Sequence, residues 1–273
     1  MLSISLGPLA LPVAPLLLLA TVWLAAALAR RWAGAAQSAA AENAVWIAAG
    51  LGLLGARAGQ LLRHADAYAA SPAAMLDLRD GGWFAPAGWA AAGLWLAWRA
   101  LAAPPLRRAL GAAALAGGVL WGAGTLALQR AGGGADSPVP AITLTALQGD
   151  RVAALPALLA GQPTVVNLWA SWCGPCRAEM PMLAAAQQRE RGVRFLFVNQ
   201  GETAAAVQAY LQREGLVLDG VWLDATSRAG PAFGSRGLPT TLFFDARGRR
   251  VDAHFGVLNA AALQARLQDL RAP

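Results

Sequence analysis

The segment Trp172-Cys173-Gly174-Pro175-Cys176 holds both cysteines of the sequence and lies between an apolar run of strand length and a helical pattern. This position predicts Cys173 at the start of a helix and Cys176 one turn further in. Unpaired backbone N–H groups and the positive end of the helix dipole stabilise a thiolate at a helix start. We therefore expect Cys173 to be the attacking sulfur and Cys176, which is shielded, to resolve the mixed disulfide.

The cysteine pair has two alternative interpretations, as small apolar core residues or as half of a zinc site. Pro175 suits the first turn of a helix, where its missing N–H would have had no partner. Zinc requires further Cys or His ligands, and the only histidines are His64 and His254, one in each half of the chain. We therefore expect a redox-active dithiol, with no bound metal and no cofactor.

The chain from Pro138 onward alternates short apolar runs with helical patterns, which is typical of an α/β domain. The predicted strands are residues 164–170, 194–198, 221–224, 240–245 and 251–255. The predicted helices are residues 175–191, 203–214 and 259–270. We assign residues 138–273 to this domain and the Gly-rich residues 131–137 to a linker.

Residues 1–130 differ in composition and predict a multi-span α-helical membrane domain. The whole chain is 57% hydrophobic and 14% charged, with a mean hydropathy of +0.44, which is too apolar for one soluble domain. Four apolar stretches, at about residues 9–29, 43–62, 83–103 and 109–128, are each close to the ~20 residues that span a bilayer. Arg57 lies inside the second, where it must pair, snorkel or face a polar cavity.

The arginines of this half predict its orientation. Positive charge concentrates after the first stretch and between the third and fourth, at Arg30, Arg31, Arg99, Arg107 and Arg108. Such loops are cytoplasmic, so the N-terminus and, after four spans, the C-terminal domain are expected on the periplasmic side of a bacterial inner membrane. The net charge of +7 does not indicate nucleic-acid binding, because the arginines form no dense run.

A second motif, Gly237-Leu238-Pro239-Thr240-Thr241, precedes an apolar strand. With the cysteine motif, it makes residues 138–273 resemble a thioredoxin-fold domain, specifically the TlpA and ResA group of membrane-anchored extracytoplasmic thiol–disulfide reductases. The resemblance implies a central mixed sheet flanked by helices and a cis peptide bond before Pro239. It also implies a substrate groove, whose expected residues are Trp172, Gly174, Pro175, Leu238 and Pro239.

Two polar residues refine the expected chemistry. Asn167 stands six residues before Cys173, where cytosolic thioredoxins carry a buried Asp, so another acid must serve as proton carrier. Glu179, three residues after Cys176, matches the active-site Glu of ResA-like proteins, and one helical turn brings it back near the thiol. The resemblance implies a third catalytic residue that exchanges protons with Cys176. The alternative is an exposed helix Glu beside Arg177.

The dipeptide between the cysteines bears on the direction of electron flow. Gly174-Pro175 is the arrangement of thioredoxin, whose potential is about −270 mV, and this favours reduction of disulfides in extracytoplasmic proteins such as apocytochrome c or copper-site proteins. A disulfide donor or isomerase, a thiol-dependent peroxidase and a non-enzymatic metal chaperone remain alternatives. Because the membrane half contains no Cys, a separate membrane thiol donor is expected to recharge the dithiol.

The membrane half has a resemblance of its own. Ser5-Leu6-Gly7-Pro8-Leu9, Gly55-Ala56-Arg57, Ser71-Pro72 and Gly81-Gly82 are similar to the N-terminal part of prolipoprotein diacylglyceryl transferases. Where that family carries a His-Gly-Gly sequence, this chain reads Trp83-Phe84-Ala85-Pro86-Ala87-Gly88, without the His. The resemblance therefore implies a truncated, non-catalytic relative that anchors the chain in the lipid bilayer.

Overall fold

The computed structural model describes residues 3–6, 9–131, 138–149 and 151–271. The predicted linker therefore lies outside the described residues except for Ala131, as do Gly7 and Pro8 of the first transferase-like motif. The chain divides into two compact units. The helical unit comprises Val13–Ala69 and Gly82–Leu128, and the redox unit comprises the described parts of Met1–Pro12, Ala70–Gly81 and Gln129–Pro273.

The helical unit is built from long helices that pack through small side chains. Its helices are α1 (Val13–Trp32), α2 (Ser38–Arg63), α3 (Ala65–Ala69), α4 (Ala85–Ala102) and α5 (Arg107–Ala131), with 3-10 turns at Ala35–Gln37 and Pro104–Leu106. Six of the nine buried residues in its core cluster are alanines. Helices α2 and α4 approach closely, since a Cβ added to Gly88 would lie 2.8 Å from the carbonyl oxygen of Gly52.

Three helical segments are long and apolar enough to cross a membrane, namely Val13–Trp32, Ala35–Arg63 and Pro104–Arg130. Each of the four predicted apolar stretches contains a long helix, although residues 9–12 of the first form a strand, and α4 is not among these three segments. It has only 18 residues, and Pro86, Arg99 and three tryptophans lower its hydropathy. By length and composition, the described residues therefore supply three of the four expected spans.

The redox unit contains a seven-stranded mixed sheet and a separate antiparallel pair, β1 (Ser3–Leu6) and β2 (Leu9–Pro12). The large sheet consists of β3 (Thr143–Ala146), β4 (Val152–Ala154), β5 (Thr164–Trp169), β6 (Arg194–Gln200), β7 (Val221–Asp224), β8 (Thr240–Phe244) and β9 (Arg250–Phe255). Their order is β4-β3-β7-β6-β5-β8-β9. Strands β5, β6 and β7 are mutually parallel, and the other pairs are antiparallel.

Both faces of this sheet are covered. Successive residues alternate between two apolar clusters, since Val165 and Phe195 belong to one cluster while Val166 and Leu196 belong to the other. The covering helices are α6 (Leu155–Leu159), α7 (Gly174–Arg189), α8 (Ala204–Arg213), α9 (Ala229–Ala232) and α10 (Ala260–Arg271). The sequence-based expectation of a central mixed sheet flanked by helices is confirmed.

The predicted elements of this domain are all present, with ends displaced by at most two residues. The prediction omitted β3, β4, α6 and α9. These elements have three to five residues each, which is too short for a period of 2 or 3.6 to be recognised.

A segment from between α3 and α4 also belongs to the redox unit. Residues 70–81 contain two 3-10 turns, Pro72–Leu76 and Leu78–Asp80, and contact α10 and the residues before it. The side-chain amide of Asn259 donates to Asp77 Oδ2 at 3.3 Å, and Arg266 Nη2 donates to the carbonyl oxygen of Asp80 at 3.1 Å. A Cβ added to Gly81 would lie 3.0 Å from His254 Nδ1, so this contact requires a small residue.

Candidate active site

Cys173 and Cys176 lie at the junction between β5 and α7. All six residues of β5 are buried, and the chain turns through residues 170–173 into the helix. Cys173 is the N-cap of α7, where its Sγ accepts a hydrogen bond of 3.2 Å from the backbone N–H of Cys176. The two sulfurs form a disulfide, with 5.3 Å between the Cα atoms. Cys173 is 5% exposed and Cys176 is fully buried, so Cys173 is the more accessible sulfur.

Glu179 lies on the buried face of α7 and is only 1% exposed. Its Oε1 accepts a hydrogen bond of 2.8 Å from Asn167 Nδ2, and its Oε2 accepts one of 2.9 Å from the backbone N–H of Leu258. Burial raises the pKa of Glu179 to about 7, although both hydrogen bonds act to lower it. The alternative of an exposed helix Glu beside Arg177 is wrong, because Glu179 is buried, and Arg177 donates to Glu214 instead.

Asn167 holds this carboxylate from the neighbouring strand. It is buried on β5 directly opposite Thr241 of β8, and its Nδ2 donates to Thr241 Oγ1 at 3.0 Å as well as to Glu179. Both N–H groups of the amide are therefore used. Among the described residues, Asn167 Oδ1 has no hydrogen-bond partner. Asn167 thus orients Glu179 as a neutral donor in the place where a second acid would have repelled it.

The expected groove residues differ in exposure. Trp172 is 71% exposed, and Gly174 and Pro175 are exposed beside it at the start of α7. Leu238 is half-buried and packs against both apolar clusters. The peptide bond between Leu238 and Pro239 is cis, as expected from the resemblance. Pro239 itself is buried, and its carbonyl oxygen accepts a hydrogen bond of 3.0 Å from the backbone N–H of Gly256.

Sequence reasoning missed several residues at this site. Thr241 and Leu258 contact the Glu179 network, and Glu202 binds the loop before Cys173. Glu202 reaches this loop because β5 and β6 are parallel neighbours, so polar residues at their carboxyl ends share one edge of the sheet. Leu258 contributes only its backbone N–H, which no side-chain pattern reveals.

The histidines considered as zinc ligands are both buried. Within the described ranges, no group of three or more His, Cys, Asp or Glu side chains could hold a metal ion. His254 lies on β9, and burial together with the nearby charge of Arg266 lowers its pKa to about 4. His254 is therefore neutral at pH 7.

The geometry brings together the parts that thiol–disulfide exchange requires. A helix N-terminus faces the more accessible sulfur, where it favours a thiolate. An acid with a pKa of about 7 lies one helical turn beyond the buried sulfur, so it can accept or release a proton at neutral pH.

The redox domain is similar in sequence to known proteins. The family model for redoxin matches residues 134–266. A thiol:disulfide interchange protein DsbE from Allochromatium vinosum is 36% identical over 113 residues, which are 41% of this chain and 62% of that protein. The thiol-disulfide oxidoreductase ResA from Halalkalibacterium halodurans is 33% identical over 100 residues, which are 36% of this chain and 56% of ResA.

A third relative is matched over more of its length. The thiol:disulfide interchange protein HelX from Rhodobacter capsulatus is 30% identical over 138 residues, which are 50% of this chain and 77% of that protein. The chain thus spans less than two thirds of the DsbE and ResA relatives but more than two thirds of HelX. The chain therefore belongs to the family of thiol:disulfide interchange proteins.

Proposed function

We propose that this protein is a membrane-tethered, extracytoplasmic oxidoreductase that reduces disulfides of partner proteins. The observation that carries the proposal is the Cys173–Cys176 disulfide at the start of α7, with Glu179 buried on the same helix. Cys173, Cys176 and Glu179 are its proposed catalytic residues.

The proposed reaction transfers two electrons to the partner. In the reduced protein, the Cys173 thiolate attacks one sulfur of the partner disulfide, so that bond breaks, a mixed disulfide forms and the partner's first thiolate leaves and takes up a proton. Cys176 then loses its proton to Glu179 and attacks Cys173 Sγ. The mixed disulfide breaks, the partner's second thiolate leaves and is protonated, and the Cys173–Cys176 disulfide is restored.

The proposed substrate contacts lie around the accessible sulfur. Trp172, Gly174 and Pro175 form the exposed side of the site, and Leu238 offers its backbone beside the cis peptide bond. An extended partner segment can add to such a backbone as a short strand, which fits protein substrates with locally unfolded cysteines. Apocytochrome c and copper-site proteins before cofactor attachment are substrates of this kind.

The proposed tether is the helical unit. Three of its segments have the length and composition of membrane spans, and α4 would be the fourth. Four spans with a periplasmic N-terminus place the redox domain in the periplasm, where a membrane thiol donor must recharge it. We attribute no lipid-transfer activity to this unit, in keeping with a non-catalytic relative of the diacylglyceryl transferases.

A C-terminal alkaline phosphatase fusion tests this orientation, because alkaline phosphatase is active only on the periplasmic side. The fusion should be active, and an inactive fusion would overturn the proposed orientation.

The midpoint potential of the dithiol tests the direction of the reaction. The full chain in detergent is equilibrated with defined thiol and disulfide mixtures, and the reduced fraction is trapped by alkylation. A value near or below about −220 mV supports a reductase that needs a dedicated donor. A value above about −150 mV would make the protein a disulfide donor or isomerase instead.

A further inference from the structure

Glu202, between β6 and α8, reaches the loop that precedes Cys173. Its Oε2 accepts a hydrogen bond of 2.7 Å from the backbone N–H of Ser171, and its Oε1 accepts one from the Ser171 hydroxyl. The two residues are 31 positions apart in the sequence. Both oxygens of one half-buried carboxylate are thus bound to a single residue, two positions before the attacking cysteine.

The carboxylate of Glu202 is itself held in place by a buried strand residue. Asn199 Nδ2 donates to Glu202 Oε2 at 2.6 Å, and the backbone N–H of Glu202 donates back to Asn199 Oδ1 at 3.3 Å. Asn199 is fully buried on β6, directly opposite Trp169, where β5 ends and the active-site loop begins. The anchor for the loop is therefore part of the rigid sheet.

We propose that Glu202 is a positioning residue that fixes the loop of residues 170–173 and so presents Cys173 Sγ at the start of α7. This inference rests on the proposed function. Between the anchor at Ser171 and the sulfur stands only Trp172, which is largely exposed. Within the loop, the backbone N–H of Cys173 also donates to the carbonyl oxygen of Ala170 at 3.2 Å. Glu202 is a positioning residue and not a catalytic one, because its hydrogen bonds go to Ser171 and Asn199.

The anchor matters most in the reduced protein. In the disulfide form, a covalent bond to Cys176 already holds Cys173 against the helix. After reduction, the position of the thiolate depends on hydrogen bonds, and the two that Ser171 donates to Glu202 fix the loop beside it. A small displacement of a reacting atom is enough to slow a reaction by up to about a hundredfold.

The test compares Glu202→Ala and Glu202→Gln in the full chain in detergent, with Glu214→Ala as a control in an exposed carboxylate near the end of α8. The first readout is the rate at which the reduced protein reduces insulin disulfides, measured against pH. The second is alkylation of Cys173 by iodoacetamide, in which the thiolate forms a C–S bond and iodide leaves. The second readout needs no partner protein.

For a positioning role, Glu202→Ala should slow insulin reduction by about tenfold or more and should also slow the alkylation of Cys173, because a displaced sulfur loses the stabilisation of the helix start. Glu202→Gln keeps the shape of the side chain and most of its hydrogen bonds, so it should retain most of the rate of insulin reduction. The control Glu214→Ala should reduce insulin as fast as the parent protein. Equal losses of rate in the Gln and Ala variants, or a pH midpoint of alkylation that falls equally in both, would assign the effect to charge and overturn the proposal. An unchanged rate of insulin reduction in Glu202→Ala would also overturn the proposal.

Folding defects are separated by a milder change. Ser171→Ala removes only the hydroxyl hydrogen bond and should slow the reaction less than Glu202→Ala, with no further loss when the two are combined. Additive losses would contradict a shared role. A parent protein that fails to reduce insulin refutes the proposed function, whereas an unaltered alkylation rate in Glu202→Ala refutes the positioning role.

Discussion

The helical unit buries mostly small side chains, whereas the redox unit buries large ones. The core of the helical unit consists mostly of alanines, while large apolar residues such as Leu54, Leu94 and Leu115 face outward. In the redox unit, the largest buried side chains include Trp169, Phe197 and Phe243. The same apolar residue types therefore occupy opposite positions in the two parts of one chain.

This difference follows from the solvent that each unit is built for. In water, burial of large apolar side chains is the main favourable contribution to folding. In a bilayer, lipid solvates a leucine as well as a protein core does, so helices gain by close backbone approach through small residues. Helices α2 and α4 meet in this way at Gly88 and Gly52, which agrees with the proposed membrane tether.

Loss of the attacking sulfur should have the largest effect and should separate the functions of the two units. We expect Cys173→Ser to abolish disulfide reduction, because a hydroxyl cannot form the mixed disulfide. Arg57→Gln changes a buried residue of α2 and should leave the rate of insulin reduction unchanged. If activity survived Cys173→Ser but was lost in Arg57→Gln, the chemistry would belong to the helical unit, and the proposed function would be wrong.

Removal of a leucine should cost far more in one unit than in the other. Leu168 is fully buried on β5, whereas Leu115 on α5 is 70% exposed. Leu168→Ala should destabilise the redox unit by about 2–5 kcal/mol, and Leu115→Ala should change the helical unit by less than about 0.5 kcal/mol. Denaturant titration of the redox unit and SDS titration of the helical unit measure these values. A comparable loss of stability in both variants would contradict the proposed difference between the two cores.

The buried carboxylate of the redox unit should give that unit a pH dependence of its own. If Glu179 accepts the proton of Cys176, the rate of mixed-disulfide resolution should rise with pH through about 7. Glu179→Gln should remove this rise and slow resolution on the order of a hundredfold. Stopped-flow measurement of resolution between pH 5 and 9 checks both effects, and an unaltered pH profile would exclude the role.

The stability of the redox unit should carry the same signature. The folded protein binds the Glu179 proton more tightly than the unfolded chain does, because its pKa rises from 4.5 to about 7 on folding. This contribution to the free energy of unfolding is fully present below about pH 4.5 and is lost as the pH rises through about 7. Glu179→Gln should therefore flatten the fall in stability over this range. Buried His254 has the opposite slope between about pH 4 and 6.5, and it is present in both proteins.

The smallest expected effect distinguishes two glycines on the same helix. A Cβ at Gly88 would lie 2.8 Å from the Gly52 carbonyl oxygen, whereas one at Gly93 would meet no atom within 4 Å. Gly88→Ala should weaken the pairing of α2 with α4 by about 1–3 kcal/mol. Gly93→Ala should be neutral or stabilise the helix by up to about 1 kcal/mol. Equal responses in an SDS titration would show that close approach does not hold the unit together.

The parts of the fold that could be predicted were those with long, unambiguous patterns. Strand β5 is an apolar run that ends just before the cysteine motif, and four residues separate it from helix α7. Strands β3 and β4 are too short to show a period, and β3 joins the sheet through β7, which lies far away in the sequence. Helix α4 matched the apolar pattern, but its tryptophans and Arg99 make it a weaker span than its length indicated.

The site was predicted where one local segment decides the chemistry. Cys173 and Cys176 required only their spacing and their place at a helix start. The environment of Glu179 could not be deduced, because its partners Asn167 and Leu258 are 12 and 79 positions away. The contact of Glu202 with Ser171 likewise requires the order of the strands, which sequence periodicity does not give.

Residues 70–81 make the redox unit discontinuous in the sequence, and this has a consequence for how the protein is made. The segment leaves the ribosome well before β9 and α10 exist, so Asp77 and Asp80 must wait for Asn259 and Arg266 to be synthesised. The unit can therefore be completed only after α10 has been synthesised. A shortened protein that starts after α5 would lack these contacts from the beginning, with His254 uncovered on that side.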